Sequence, residues 1–242
     1  MSDAAGSAPS PEQLAAALAA APARELGSGY QATTRVATTP FGNVVVKEPH
    51  GGVLAGLWRY LLRRESAVYA QLSGIAGIPR AYGLVRGEAL ALEYIAGPSL
   101  REQDSRLMDR ERFFARLLDT VKAMHAAGVA HGDLKRKYNV LVGAGEQPYL
   151  IDFGIACRRD ARDGFWNRWV FATFRQMDLN AWLKLKYGRR IDPAAEPGAL
   201  SAADAALFRP LLIERLARAV RIPWQIITLR RPRQRWRARH KR

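Results

Sequence analysis

The stretch His131-Gly132-Asp133-Leu134-Lys135-Arg136-Lys137-Tyr138-Asn139-Val140-Leu141-Val142, followed at close range by Leu150-Ile151-Asp152-Phe153-Gly154, restricts this chain more than any other part of it. Residues 140–151 read as two short strands with a turn at 143–148. Asn139 and Asp152 would then leave from neighbouring strand ends, as a shared metal requires. Phosphoryl transfer from ATP uses such a set. One carboxylate orients the acceptor hydroxyl, and an Asn with a second carboxylate holds Mg²⁺ against the triphosphate. Asp-Phe-Gly alone arises by chance; both halves in this order constrain far more.

The residues upstream read as strand, turn, strand, turn, strand over 23–47. Gly27-Ser28-Gly29 makes the first turn and Pro40-Phe41-Gly42-Asn43 the second. A Gly-x-Gly pair lets backbone N–H groups approach phosphates, but most such pairs are ordinary turns. Its weight comes from Lys47, at the end of the apolar run Val44-Val45-Val46. A helix is predicted over 57–72, with Leu61, Val68 and Leu72 on one face and Glu65 among them. A carboxylate facing inward costs several kcal/mol unless paired, roughly the desolvation cost of an ion, and Lys47 is its natural partner. The alternative is a hydrated Glu at the edge of the stripe. Glu48 and Glu88 sit on no helix face. Residues 81–95 read as a hairpin that stops at Ala96-Gly97-Pro98, an extended segment and then a flexible break.

Downstream, the helix over 109–127 has Asp109 at its N-cap. Phe113, Phe114, Leu117, Leu118, Val121 and Met124 recur at helical spacing and read as core. A further helix is predicted over 178–187, with Asp178 at its start and Leu179, Trp182 and Leu183 inward. As a plain N-cap, Asp178 would be worth about 1 kcal/mol.

With 48% hydrophobic and 9% aromatic residues in 242, the chain is globular. No apolar run reaches the roughly 18 uncharged residues of a membrane span. The Ala-rich N-terminus can imitate a signal peptide but lacks the basic flank of one, and the expectation is a cytoplasmic protein. The lone Cys157 reads as a small core residue rather than a redox switch. The net charge of +16 is uneven. Residues 209–242 hold twelve Lys or Arg against Glu214, a net of +11. Trp224 and Trp236 stand among them, after a run of Leu and Ile. A solvated helix end, an anchor on an anionic membrane surface and an RNA-binding arm compete for this tail. The apolar residues before the Arg run favour membrane over RNA.

Over residues 25–190 these motifs resemble the protein-kinase-like superfamily. The resemblance implies an α+β, two-lobed protein-kinase-like fold with a small antiparallel sheet in the N-lobe and a reduced, mostly helical C-lobe. It implies a partly disordered N-terminal extension (1–22), an N-lobe (23–95), a C-lobe (96–208) and a basic amphipathic tail (209–242). Gly27 and Gly29 resemble the phosphate-covering loop. Lys47 resembles the lysine that pairs with the α- and β-phosphates, and Glu65 its helix partner. Leu92-Glu93-Tyr94-Ile95 is similar to the gatekeeper and hinge, whose backbone at Glu93 and Ile95 would bind adenine. Asp133 resembles the catalytic Asp, Lys135 the lysine that meets the γ-phosphate, and Asn139 and Asp152 the Mg²⁺ ligands. ATP and Mg²⁺ are the implied cofactors.

Several departures narrow the resemblance. Five residues, Leu134 to Tyr138, separate Asp133 from Asn139 where four are usual. Either the loop bulges or Tyr138 takes the Asn slot, and Asn suits Mg²⁺ better. Gly132 stands where an Arg usually receives a phosphorylated activation loop, and no Ala-Pro-Glu follows Asp152-Phe153-Gly154. The chain runs through Arg158-Arg159 to Trp166, Trp169 and Phe171 and straight into the Asp178 helix. A His-Gly-Asp loop with a short C-lobe resembles atypical bacterial branches: the Kdo and heptose kinases of the lipopolysaccharide core, the RIO kinases, and the aminoglycoside or choline kinases. Met177-Asp178-Leu179 resembles the helix start of the lipopolysaccharide group, where such an Asp supports the catalytic loop from below. The first expectation is therefore an ATP-dependent kinase acting on a lipopolysaccharide core sugar, peripheral on the inner face of the inner membrane. The second is an atypical, RIO-like serine/threonine protein kinase with a protein acceptor, and the third a nucleotide-binding pseudokinase scaffold.

Overall fold

The β-branched run Val44-Val45-Val46 favours an extended chain, and strand β3 spans Gly42–Pro49. In this computed structural model, which describes residues 9, 11–28, 32–159, 164–189, 191 and 196–211, β3 pairs antiparallel with β2 (Ala32–Thr39) and β5 (Ala89–Glu93). Strands β1 (Ala23–Ser28) and β4 (Ala81–Val85) complete a five-stranded sheet of order β1-β2-β3-β5-β4. In register, Val44 lies opposite Glu93, Val45 opposite Leu92, Val46 opposite Ala91 and Lys47 opposite Leu90.

Alternation along β3 sorts its side chains onto two faces. Val44 and Val46 enter a buried cluster with Val85, Ala91 and Leu14. Leu14 comes from helix α1 (Pro11–Ala20) and is fully buried. That helix, expected to belong to an extension, is thus part of the core. Val45 and Lys47 turn to the opposite face, where helix α2 (Ala55–Gln71) packs on β3, β4 and β5.

The buried side chains of α2 are Trp58, Leu62, Glu65, Val68 and Tyr69. Leu61, expected to face inward, is half-buried. Two adjacent leucines fit either of two stripes about 100° apart on a helix, and Trp58 and Tyr69 select the one through Leu62.

The second part of the fold is mostly helical. It comprises α3 (Leu100–Gln103), α4 (Arg110–Ala126), short strands β6 (Val129–Ala130), β7 (Val140–Val142), β8 (Pro148–Leu150) and β9 (Cys157–Arg158), and α5 (Phe165–Lys186). β6 pairs with β9 and β7 with β8. Asp109 caps α4 by accepting from the amide of Arg112 at 2.9 Å. Phe113, Phe114, Leu117, Val121 and Met124 are buried. Trp182 of α5 donates its indole N–H to the Phe114 carbonyl at 2.9 Å. Arg110 lies over the Phe114 ring and donates to the Leu185 and Lys186 carbonyls, closing the C-terminus of α5. Cys157 packs with Ala130 and Phe171, as expected of a small core residue, and burial pushes its thiol pKa up.

One expectation is corrected. Helix α5 starts at Phe165, not at Asp178, so Asp178 is mid-helix and caps nothing of its own helix. The Ala96-Gly97-Pro98 break is exposed, yet its backbone lies against β7: a Cβ on Gly97 would collide with the Val142 carbonyl oxygen, and the Val142 amide donates to the Pro98 carbonyl at 2.9 Å.

A five-stranded antiparallel sheet followed by a helical part is the two-lobed α+β architecture expected. By internal contacts the chain divides into two units, Met1–Ile191 and Asp192–Arg242. In the second, α6 (Ala202–Ala205) is capped by the Ser201 hydroxyl, which accepts from the Asp204 amide at 3.1 Å. The expected basic tail lies outside the described residues from 212 onward. Among the described residues, no helix is long and apolar enough to cross a membrane.

Replacing Leu14 by Ala is expected to lower stability by about 2–5 kcal/mol, read as a lower urea midpoint at unchanged slope. An unchanged midpoint would mean that α1 does not seal the sheet.

Candidate active site

A cavity of about 640 Å³ lies between the sheet and the helical part. Its size is that of a site for a drug-sized ligand. Leu26, Ala32, Thr34 and Val45 form its upper wall, Leu92, Glu93, Tyr94 and Ile95 its connecting edge, and Leu141 and Ile151 line it from the helical part.

The alternation that buries Val44 and Val46 aims Lys47 into this cavity. Its ammonium lies 2.6 Å from Glu65 Oε1 and 3.2 Å from Asp152 Oδ1. Burial works against the charged amine, but the Glu65 and Asp152 carboxylates outweigh it and its pKa is raised. Glu65 is itself buried, and the pair answers the desolvation cost foreseen for an inward carboxylate. Burial also pushes the Asp152 carboxyl up. Lys47, and more weakly Arg136, more than offset this, and the group lies below its usual value. Asp152 is therefore ionised at neutral pH.

The loop before Asp133 rests on α5. Asp178, almost fully buried, accepts from the His131 amide at 2.7 Å, the Gly132 amide at 2.9 Å and His125 Nε2 at 3.1 Å. Three donors satisfy one carboxylate that no solvent reaches. The mid-helix position of Asp178 thus fits support of the loop from below and excludes an N-cap. His131 Nδ1 accepts from the Asp133 amide at 3.3 Å, so its proton sits on Nε2 and is donated to the Ile151 carbonyl at 3.0 Å. Gly132 has φ +79°, and a Cβ there would lie 2.7 Å from the Phe174 ring. Close approach of α5 and a left-handed backbone both demand glycine.

Asp133, Asn139 and Asp152 line the same cavity. The extra loop residue is taken up by two turns, with Arg136 N donating to the Asp133 carbonyl and Asn139 N to the Arg136 carbonyl. Lys137 of this bulge pairs with Asp104, which also pairs with Arg110. Asn139 is buried and gives its amide hydrogen to the Asp133 carbonyl at 3.1 Å, which leaves Oδ1 free for a cation, while Tyr138 is exposed. The pairing of Val140 with Leu150 continues as Ile151 N to Asn139 O at 3.0 Å, which brings Asp152 alongside. Among the described residues no three His, Cys, Asp or Glu form a metal cage. A carboxylate with an amide oxygen is nevertheless a fitting partial set for Mg²⁺, which keeps water and takes phosphate oxygens for its other positions.

The remaining expected residues are placed unevenly. Glu93 and Ile95 line the cavity edge. The Glu93 amide is spent on the Arg80 carbonyl at 2.8 Å, whereas the Ile95 amide has no backbone partner among the described residues. Gly27 lies in β1 at a register shift, exposed and off the cavity lining. Gly29 falls outside the described residues. Lys135 is exposed, 3.7 Å from Asp133 Oδ1, and does not line the cavity. Arg136 does, with Nε 2.8 Å from Asp133 Oδ2. Sequence reasoning passed over Arg136, although the supernumerary loop residue was a visible signal that the usual spacing from Asp133 to the cation had changed. It also passed over Tyr69. The Tyr69 hydroxyl accepts from the Asp152 amide at 3.3 Å, and burial raises its pKa and keeps it protonated.

Residues 53–166 match the RIO domain family. A putative cyclin-dependent kinase F-2 from Oryza sativa subsp. japonica is 34% identical over 151 residues, which cover 54% of this chain and 45% of that protein. The chain thus spans under half the length of this curated relative.

Replacing Asp178 by Ala leaves two buried amides and a histidine without an acceptor. A loss of about 3–5 kcal/mol in chemical unfolding is expected. A loss within about 0.5 kcal/mol, the size of an ordinary surface change, would show that the loop holds without it.

Proposed function

We propose that this chain, which belongs to the protein-kinase-like superfamily, is an ATP- and Mg²⁺-dependent kinase that phosphorylates hydroxyl groups, of the atypical, RIO-like protein-kinase type. The observation that carries the reading is Lys47, held between Glu65 and Asp152 in a cavity that also receives Asp133 and Asn139.

The geometry supports the following roles. The Ile95 amide, which has no backbone partner among the described residues, and the neighbouring edge peptides meet the adenine, between Leu26 and Val45 on one side and Leu141 on the other. Lys47 clamps the α- and β-phosphates. Asp152 and Asn139 would hold Mg²⁺, which when bound would supply charge neutralisation to the triphosphate. Asp133 orients the acceptor hydroxyl and takes its proton as the new O–P bond forms and the bond to ADP breaks. Arg136 takes the part foreseen for Lys135, since its guanidinium reaches the cavity beside Asp133 and fits the growing charge on the transferred group.

A protein hydroxyl is the acceptor favoured by the RIO-domain match and the kinase relative. A second reading, a lipopolysaccharide core sugar, rests on one observation: β9 ends at Arg158 and α5 begins at Phe165. That leaves little chain to shape a peptide groove. Neither match supports it.

Purified protein with labelled Mg-ATP is expected to label a generic basic protein or itself. Label in a core glycolipid alone would favour the second reading, and ATP binding without transfer would reduce the chain to a scaffold. Asp133→Asn is expected to lower transfer by roughly 10²–10⁴-fold while ATP still binds. Unchanged transfer in that variant would remove Asp133 from the mechanism.

A further inference from the structure

We infer that Tyr69 is a positioning residue for the metal site: its hydroxyl holds the Asp152 peptide in the conformation that presents the carboxylate to the cation. The inference rests on the reading of Asp152 as an Mg²⁺ ligand.

Asp152 has φ +69°, one of three non-glycine residues with positive φ among the described ones. Asp tolerates this region better than most residues, but it is still the less favoured conformation and needs holding in place. The residue before it is fixed at both backbone ends, Ile151 N by the Asn139 carbonyl and Ile151 O by His131 Nε2. Asp152 is the first residue past β8 whose amide leaves that pattern, and that amide goes to Tyr69 Oη at 3.3 Å. The next side chain, Phe153, is buried edge-on against the Tyr69 ring, with centroids 5.0 Å apart at 80°. Ring and hydroxyl therefore grip consecutive residues.

Tyr69 also stands one turn after Glu65 on the same face of α2. That helix acts on residues 152–156 directly through Arg64 and Tyr69 and, by way of Lys47, through Glu65. Arg64 donates to the Ala156 carbonyl at 2.6 Å, Glu65 holds Lys47 against Asp152, and Tyr69 accepts from the Asp152 amide. Of these tethers, Tyr69 is the one that acts on the backbone of the ligand residue itself.

Tyr69→Phe keeps the ring and its contact with Phe153 and removes only the acceptor oxygen. The test is binding of a fluorescent ATP analogue by the full-length chain, with and without Mg²⁺. Tyr69→Phe is expected to lose about tenfold of the Mg²⁺-dependent tightening, the usual size for an outer partner of a metal ligand. Metal-free affinity and melting temperature should stay at wild-type values, and high Mg²⁺ should restore transfer. Unchanged Mg²⁺ dependence would overturn the inference. So would an equal loss with and without Mg²⁺ together with a lowered melting temperature, since that is the signature of a packing role alone. Asp152→Asn, measured in parallel, should abolish the Mg²⁺ effect. If it does not, the metal reading of Asp152 fails and the inference with it. Amide hydrogen exchange in the wild-type protein gives a readout independent of any variant. Slow exchange at Asp152 is expected, and exchange as fast as in an open loop would overturn the hydrogen bond.

Discussion

One carboxylate without access to water, that of Asp178, decides where the loop before Asp133 can be. Its acceptors are used by two successive loop amides and one imidazole. Moving the loop would strand all four groups in an apolar surrounding, so the loop is held by the cost of leaving. Everything downstream inherits that position. His131 passes it to Ile151 through one ring nitrogen and to Asp133 through the other. Asn139 ties back to Asp133, and β7 with β8 brings Asp152 alongside.

The upper half of the site is fixed by a different rule. Period-two alternation in β3 gives one strand both a hydrophobic underside and a cationic face, without any residue being asked to do both. α1 seals the first and α2 meets the second. Helix α2 carries more than an apolar stripe: Arg64, Glu65 and Tyr69 make its inner face a polar seam toward Asp152 and Ala156. Sheet, helix and loop are coupled through ions and hydrogen bonds at the cavity, and through apolar contact elsewhere.

Much of this was legible in the sequence, for reasons that can be named. Lys47 and Glu65 could be paired because each lay on a face otherwise apolar, and a lone charge in such a place needs an opposite one. The α4 stripe and the Asp109 cap were equally plain, since both are local signals. Three features were not. The choice between Leu61 and Leu62 depends on which neighbours fill the interior, and the sequence holds both. The start of α5 was hidden because Phe165 to Phe171 lack the polar–apolar rhythm of a half-buried helix; Phe165, Trp166 and Trp169 are all exposed. The exchange of Lys135 for Arg136 at the cavity depends on how one added residue is absorbed by two turns, which spacing alone does not determine.

The close contact at Gly97 has a mechanical consequence. Pro98 is bonded to Val142, Ser99 bridges to Leu141, and the Ser99 amide is held by Glu102 at 2.9 Å. From Gly97 onward the chain moves with the helical lobe. On the other side, Glu93 is bonded twice to Arg80 and moves with the sheet. Any rocking of one lobe on the other must be absorbed by the torsions of Tyr94, Ile95 and Ala96. This joint and the edge that would read the adenine share Tyr94 and Ile95, so a base seated there would act as a brake on the joint.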